Sequence, residues 1–186
     1  MQEFGRAVQL DSSNEDGLRG EADAYVKLGN PAAAEAAYKK AISLRPNYWG
    51  VYSWLGVFYY NETRYEDAIV QFKKVIELAP ANYRGYSNLG AMYVAQGKYT
   101  QALAPLNKSI EIRPNLEAFN NLGNAYFQLR RFSDAAGAFQ HGLNLDDSDW
   151  LLWGNLGDSL YWNGGNRMDA IAAYEKAIVR GEKKLQ

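Results

Sequence analysis

The sequence predicts an all-α solenoid, in which antiparallel helix pairs stack one after another. Three observations carry that prediction. Four Leu-Gly pairs recur at Leu55-Gly56, Leu89-Gly90, Leu122-Gly123 and Leu156-Gly157, in steps of 34, 33 and 34 residues. An internal period of that size marks a stacked repeat architecture. Within each period, apolar and small residues follow the i, i+3, i+4, i+7 spacing of a helical face, once in each half. Pro46, Pro80 and Pro114 then close successive periods, with Asp147 in the fourth, and proline cannot continue a helix.

With the Leu-Gly pair at positions 7 and 8, the chain divides into five full blocks: 15–48, 49–82, 83–115, 116–149 and 150–184. Positions 4, 7, 8 and 11 form the packing face of a first helix, and position 11 holds Tyr25, Tyr59, Tyr93, Tyr126 and Leu160. Positions 20, 24 and 27 do the same for a second helix. Position 20 is Ala34, Ala68, Ala102 and Ala135, and position 24 is Tyr38, Phe72, Leu106 and Phe139. Small residues at positions 8 and 20, as in Gly56 with Ala68 and Gly90 with Ala102, predict a close crossing of the two helices. The aromatics at positions 11 and 24 then fill the space around it.

The connections are equally regular. Asn47, Asn82, Asn115 and Asp149 stand ready to cap the next first helix, as Asn14 does before the first full block. Short polar turns such as Leu28-Gly29-Asn30-Pro31 and Gln96-Gly97-Lys98 join the helices within a block. The first block has Glu21-Ala22 in place of Leu-Gly. The fifth carries one extra residue in Asn163-Gly164-Gly165-Asn166, after which Ala170, Tyr174 and Ala177 resume the pattern. Residues 1–14 read as the second helix of a truncated repeat, because Phe4, Leu10 and Ser12 stand 34 residues before Tyr38, Leu44 and Pro46. That start, and the lack of a solvating helix after Arg180, lead us to expect a fragment of a larger protein.

Composition argues against most chemistry. The 186-residue chain has a net charge of −1, which speaks against binding a phosphate backbone. With no cysteine and one histidine, His141, it has little to offer a metal. Gly164-Gly165 lacks the Lys-Ser/Thr that would follow in a phosphate loop. Lys39-Lys40 and Lys73-Lys74, one period apart, read as the solvated face of second helices. No apolar stretch approaches a membrane span, and MQEFGRAVQL lacks the apolar core of a signal peptide. We therefore expect no catalysis, cofactor, metal, nucleic acid or membrane insertion, and a cytoplasmic location.

The combined pattern resembles the tetratricopeptide repeat family over residues 15 to about 181. The resemblance implies a right-handed superhelix of helix pairs that binds proteins, with first helices on the concave side. Position 6 then presents Gly20, Trp54, Asn88, Asn121 and Asn155. A carboxamide offers both donor and acceptor, and the row Asn88, Asn121, Asn155 is similar to the asparagine ladder in the superhelix of O-linked N-acetylglucosamine transferase. A structural role for these asparagines is the alternative. Around them lie Asn120 and Asn124, and Tyr60, Phe127 and Tyr161 at position 12, with Trp162 next to the last. Tyr60 and Phe127 either meet a peptide or pack against the next repeat. The family's dicarboxylate clamp for acidic chaperone tails is not matched: one window gives Arg19, Asp23, Trp54, Arg84 and Asn88, where only the arginines fit.

The expected function is a non-catalytic scaffold holding an extended peptide or partner surface at Asn88, Asn120, Asn121, Asn124, Asn155, Trp54, Tyr60, Phe127, Tyr161 and Arg84. Two alternatives stand beside it. One is a regulatory or sensor arm of a bacterial kinase, cyclase or transcription regulator. The other is end-to-end self-association through Ile171, Tyr174 and Ile178.

Overall fold

The computed structural model describes residues 15–184. The expectations for the partial repeat 1–14 and for Asn14 lie outside the described residues. Among the described residues there are ten helices and no strand: α1 (Glu15–Lys27), α2 (Pro31–Leu44), α3 (Trp49–Asn61), α4 (Tyr65–Leu78), α5 (Tyr83–Ala95), α6 (Tyr99–Ile112), α7 (Leu116–Gln128), α8 (Phe132–Leu145), α9 (Trp150–Trp162) and α10 (Arg167–Lys184). First helices of 13 residues alternate with second helices of 14 residues, and α10 extends to 18. The chain divides into two compact units between Gly85 and Tyr86, within α5.

In the first unit α1 packs on α2, α2 on α3, and α3 on α4. Ala41 and Val51 form a buried cluster covered by Ile42, Tyr48, Tyr52 and Trp54. In the second unit α6 packs on α7, α7 on α8, α8 on α9 and α9 on α10. Its core runs through Ala102, Leu106, Ala118 and Leu122, and then through Phe139, Leu143, Leu152 and Leu156. Each cluster joins the second helix of one pair to the first helix of the next. Burying a Leu or Phe side chain contributes about 1.5–3 kcal/mol, so the stack is held mostly by these seams.

The Leu-Gly glycine works against a different partner than the sequence suggests. A Cβ on Gly56 would lie 2.8 Å from the Phe72 ring, one on Gly123 2.5 Å from Phe139, and one on Gly157 2.6 Å from Tyr174. Position 8 is therefore small to seat the large side chain at position 24. The alanines at position 20 are buried as well, but they are not what the glycines accommodate. The side chain at position 24 therefore decides the spacing, a ring in these three blocks and Leu106 against Gly90.

Each pair turns through one residue in the left-handed region: Gly29, Thr63, Gly97, Arg130 and Gly164, with φ between 59° and 71°. Glycine takes this conformation freely, whereas Thr63 and Arg130 occupy it at a cost of about 1–2 kcal/mol.

Three of the predicted caps form. The side chains of Asn82, Asn115 and Asp149 accept from backbone N–H groups of Arg84, Ala118 and Leu151. Asn115 also donates to Ser109 Oγ and the Arg113 carbonyl, which satisfies its buried amide. Asn47 does not cap. Tyr48 occupies the cap position without a side-chain bond, because Asn47 falls one residue early. The Tyr48 ring instead lies beside Trp49 and Trp54, with Arg45 4.2 Å above it.

Candidate peptide-binding surfaces

The core uses one face of each first helix and leaves the other partly open. The predicted site residues are partly or fully exposed and divided between the two units, although Trp54 and Phe127 also pack against buried clusters. Trp54, Tyr60 and Arg84 belong to the first unit. Asn88, Asn120, Asn121, Asn124, Asn155, Phe127 and Tyr161 belong to the second.

In the first unit α1 and α3 border a cavity of about 280 Å³, lined by Arg19, Asp23, Val26, Trp54, Val57 and Phe58 among others. Its charged centre is built from beneath. Asp23 Oδ1 accepts a 2.6 Å bond from the Tyr38 hydroxyl, and Oδ2 accepts from Arg19 Nε at 3.0 Å. Burial, and then the Asp23 carboxylate, push the Tyr38 phenol well above its ordinary range. Asp23 is thus a fixed acceptor rather than a free surface charge. This arrangement was missed in the sequence, although a signal existed. Asp at position 9 and Tyr at position 24 occur together only in the first and fifth blocks. Tyr174 donates to Asp158 at 2.8 Å in the same way, with its phenol pushed up to about 12 by burial and by that carboxylate.

Trp54 stands edge-on to Tyr48 at 6.0 Å. Tyr60 is exposed and lies 6.1 Å from Tyr65, across the turn of its own pair. Phe127 meets Phe132 at 5.3 Å in the same arrangement. Each of these two rings thus meets a ring across its own turn, and Phe127 also packs against the cluster that holds Leu152, Trp153 and Leu156 of the next repeat, as the alternative expects. Arg84 lies over the Tyr83 ring at 5.2 Å.

Asn88, Asn121 and Asn155 are all partly exposed. Asn121 Nδ2 donates to the Glu117 carbonyl one turn back, at 2.9 Å. That bond orients the side chain and leaves its carbonyl oxygen as an acceptor. Asn124 donates to Asn120 at 3.4 Å, so those two amides partly satisfy each other. His141 is exposed and stacks on Phe119 at 5.6 Å. Among the described residues no cluster of His, Cys, Asp or Glu could hold a metal ion, and no helix is long and apolar enough to cross a membrane.

Helix pairs of this length, joined by left-handed turns and packed through a Gly-to-ring seam, define a helical-repeat scaffold. Models described as tetratricopeptide repeat match residues 19–83, 72–104 and 116–149, and one described as TPR repeat matches 90–130. The chain belongs to the tetratricopeptide repeat family. No curated protein sequence matches it.

Solved structures share the fold. A crystal structure of MamA is 24% identical with a TM-score of 0.80, covering 88% of this chain and 96% of its own. MamA from Desulfovibrio magneticus RS-1 is 21% identical with a TM-score of 0.79, covering 89% and 94%. YrrB, described as a TPR protein with an unusual peptide-binding site, is 22% identical with a TM-score of 0.73, covering 95% and 91%.

Proposed function

We propose that this chain is a non-catalytic protein-interaction scaffold that holds an extended segment of a partner against the open faces of its first helices. The observation that carries the reading is the recurrence of Asn88, Asn121 and Asn155 at one repeat position, partly exposed on α5, α7 and α9. Regularly spaced carboxamides can pair with the backbone of an extended peptide whatever its side chains. The Asn121 bond to Glu117 supports a defined orientation of that group. Similarity to YrrB, a peptide-binding repeat protein by its description, supports the same class of ligand. In the second unit the exposed Tyr161 adds an apolar anchor, and in the first unit the exposed Tyr60 and the Trp54 cavity offer an apolar surface of their own.

The test is the triple variant Asn88→Ala, Asn121→Ala, Asn155→Ala, compared with the parent chain against a display library of extended peptides. Selected peptides should bind the variant about tenfold more weakly per 1.4 kcal/mol lost, with the denaturation midpoint unchanged. Unchanged affinity would sink the role given to the asparagines.

A second reading, self-association through the last helix pair, has its own observation. Ile171 and Ile178 on α10 are 45% and 60% exposed, whereas Ala136 and Leu143 at the same repeat positions on α8 are 8% and 3% exposed. A face built like an internal seam but open to water favours a second copy as its occupant. Light scattering of the parent chain against Ile171→Glu, Ile178→Glu distinguishes the cases. A monomeric parent removes this reading.

A further inference from the structure

We infer that the turn edge of the second unit carries a separate docking site for an extended, proline-containing segment with acidic residues beside the prolines. The site does not depend on the asparagine row. Four rings from two successive helix pairs meet there. Phe127 stands edge-on to Phe132 at 5.3 Å, Phe132 lies nearly parallel to Trp162 at 6.2 Å, and Tyr161 stands edge-on to Trp162 at 5.6 Å. The rings border an open cavity of about 300 Å³, lined by Phe127, Gln128, Arg130, Phe132 and Trp162. Trp162 and Tyr161 are 58% and 53% exposed, so a large aromatic surface faces water on a turn that the core does not use.

Three features select the occupant. First, Phe132 and Trp162, 28° from parallel, border an open cavity, and the C–H groups of a puckered pyrrolidine ring pack well on exposed aromatic faces. A polyproline segment is already extended and loses little entropy when it docks on aromatic grooves. The Trp162 indole N–H and the Gln128 amide supply donors for its carbonyls.

Second, Arg130 is the one charged residue lining the cavity. Its neighbour Arg131 is committed to Asp134 at 2.7 Å and to the Tyr126 ring at 4.4 Å. Arg130 has no ion pair among the described residues, and it would repel a cationic ligand. An acidic residue beside the proline complements it.

Third, Arg130 holds a left-handed backbone, φ 59°, at the turn position where three of the five pairs use glycine. The turn therefore presents an arginine side chain where a glycine would leave it bare, at the cost of a strained backbone. The glycines of the neighbouring turn, Gly164 and Gly165, have no atoms within 4 Å of an added Cβ, so nothing crowds the approach.

The experiment uses the full chain and fluorescein-labelled peptides of repeated Pro-Pro-Asp, with Ala-Ala-Asp and Pro-Pro-Lys as comparators, read by fluorescence anisotropy. The Pro-Pro-Asp peptide should bind, with the comparators about tenfold weaker or worse. Trp162→Ala should weaken binding about tenfold, since aromatic anchors dominate such contacts. Arg130→Gly should weaken it about threefold while raising the denaturation midpoint, because the strain is released. That opposite movement separates loss of binding from loss of folding. The triple asparagine variant should bind this peptide normally, so failure of the row and failure of this site are distinguishable. The inference is overturned if Pro-Pro-Asp does not bind, if it binds no better than Ala-Ala-Asp or Pro-Pro-Lys, or if Trp162→Ala binds as tightly as the parent.

Discussion

The junction between the first and second helix pairs and the junction between the third and fourth share a clip and differ in what closes it. In the first unit Arg64 lies over the Tyr59 ring at 4.3 Å and pairs with Asp67 at 2.6 Å. In the second unit Arg131 lies over Tyr126 at 4.4 Å and pairs with Asp134 at 2.7 Å. The residue facing the clip from the preceding helix pair differs. Glu35 on α2 accepts from Tyr59 at 2.9 Å and pairs with Arg64 at 2.6 Å and Lys39 at 2.7 Å. Leu103 on α6, at the same repeat position, packs with Tyr126 against the cluster of Leu106 and Leu122. The Arg-Tyr-Asp clip thus recurs in the second and fourth blocks, while its closure is a local choice between a charge network and an apolar contact. The Lys39 bond first, then those from Arg64 and Tyr59, hold the Glu35 carboxyl at about 2 against the opposition of burial. The first junction is therefore built to respond to acid.

The largest break is at the apolar junction. Leu106 is fully buried, and Leu106→Ala should destabilise by about 2–5 kcal/mol in a denaturant titration, by a similar amount at pH 7 and pH 4. A loss below 1 kcal/mol would mean that the seam collapses around the gap, and that the junction is not apolar-dominated as described.

Next in size is Glu35→Gln, which should cost about 1.5–3 kcal/mol at pH 7, the usual range for hydrogen bonds to charged groups. Because the folded carboxyl titrates below its ordinary value, its contribution is complete above about 4.5 and disappears as pH falls towards about 2. The stability curves of parent and variant should therefore converge across that interval. Curves that stay parallel would show that Glu35 contributes through packing rather than charge.

The smallest effect is at the turns. Thr63→Gly should stabilise by about 0.5–1 kcal/mol, less than the full left-handed penalty because glycine also frees the unfolded chain. Arg130→Gly should shift stability the same way but less, since Thr63 is β-branched and Arg130 is not.

Much of the fold was legible in the sequence because it repeats. A period read at Leu55-Gly56 and three later pairs averages out local ambiguity, and the caps at Asn82, Asn115 and Asp149 follow from it. Asn47 failed for the same reason: a single block can shift its cap by one residue, and only the backbone shows which residue is at the helix start. The candidate surfaces were legible in residue type but not in bonding. Residue type alone does not show that Tyr60 and Phe127 each meet a ring across their own turn, or that Phe127 also packs against the cluster of the next repeat.

By itself the sequence determined the all-helical repeat and most of its helix caps. Helix periodicity and capping are local, set by residues within a turn or two of one another. Tertiary structure alone decided which side chain the seam glycines accommodate, that Tyr38 reaches Asp23 from 15 residues away, and that Glu35 reaches Arg64 from 29. It also gathered Phe127, Phe132, Tyr161 and Trp162 from two helix pairs onto one edge. Those contacts depend on the distance and rotation between packed helices, and those are set by side-chain volumes at the seam.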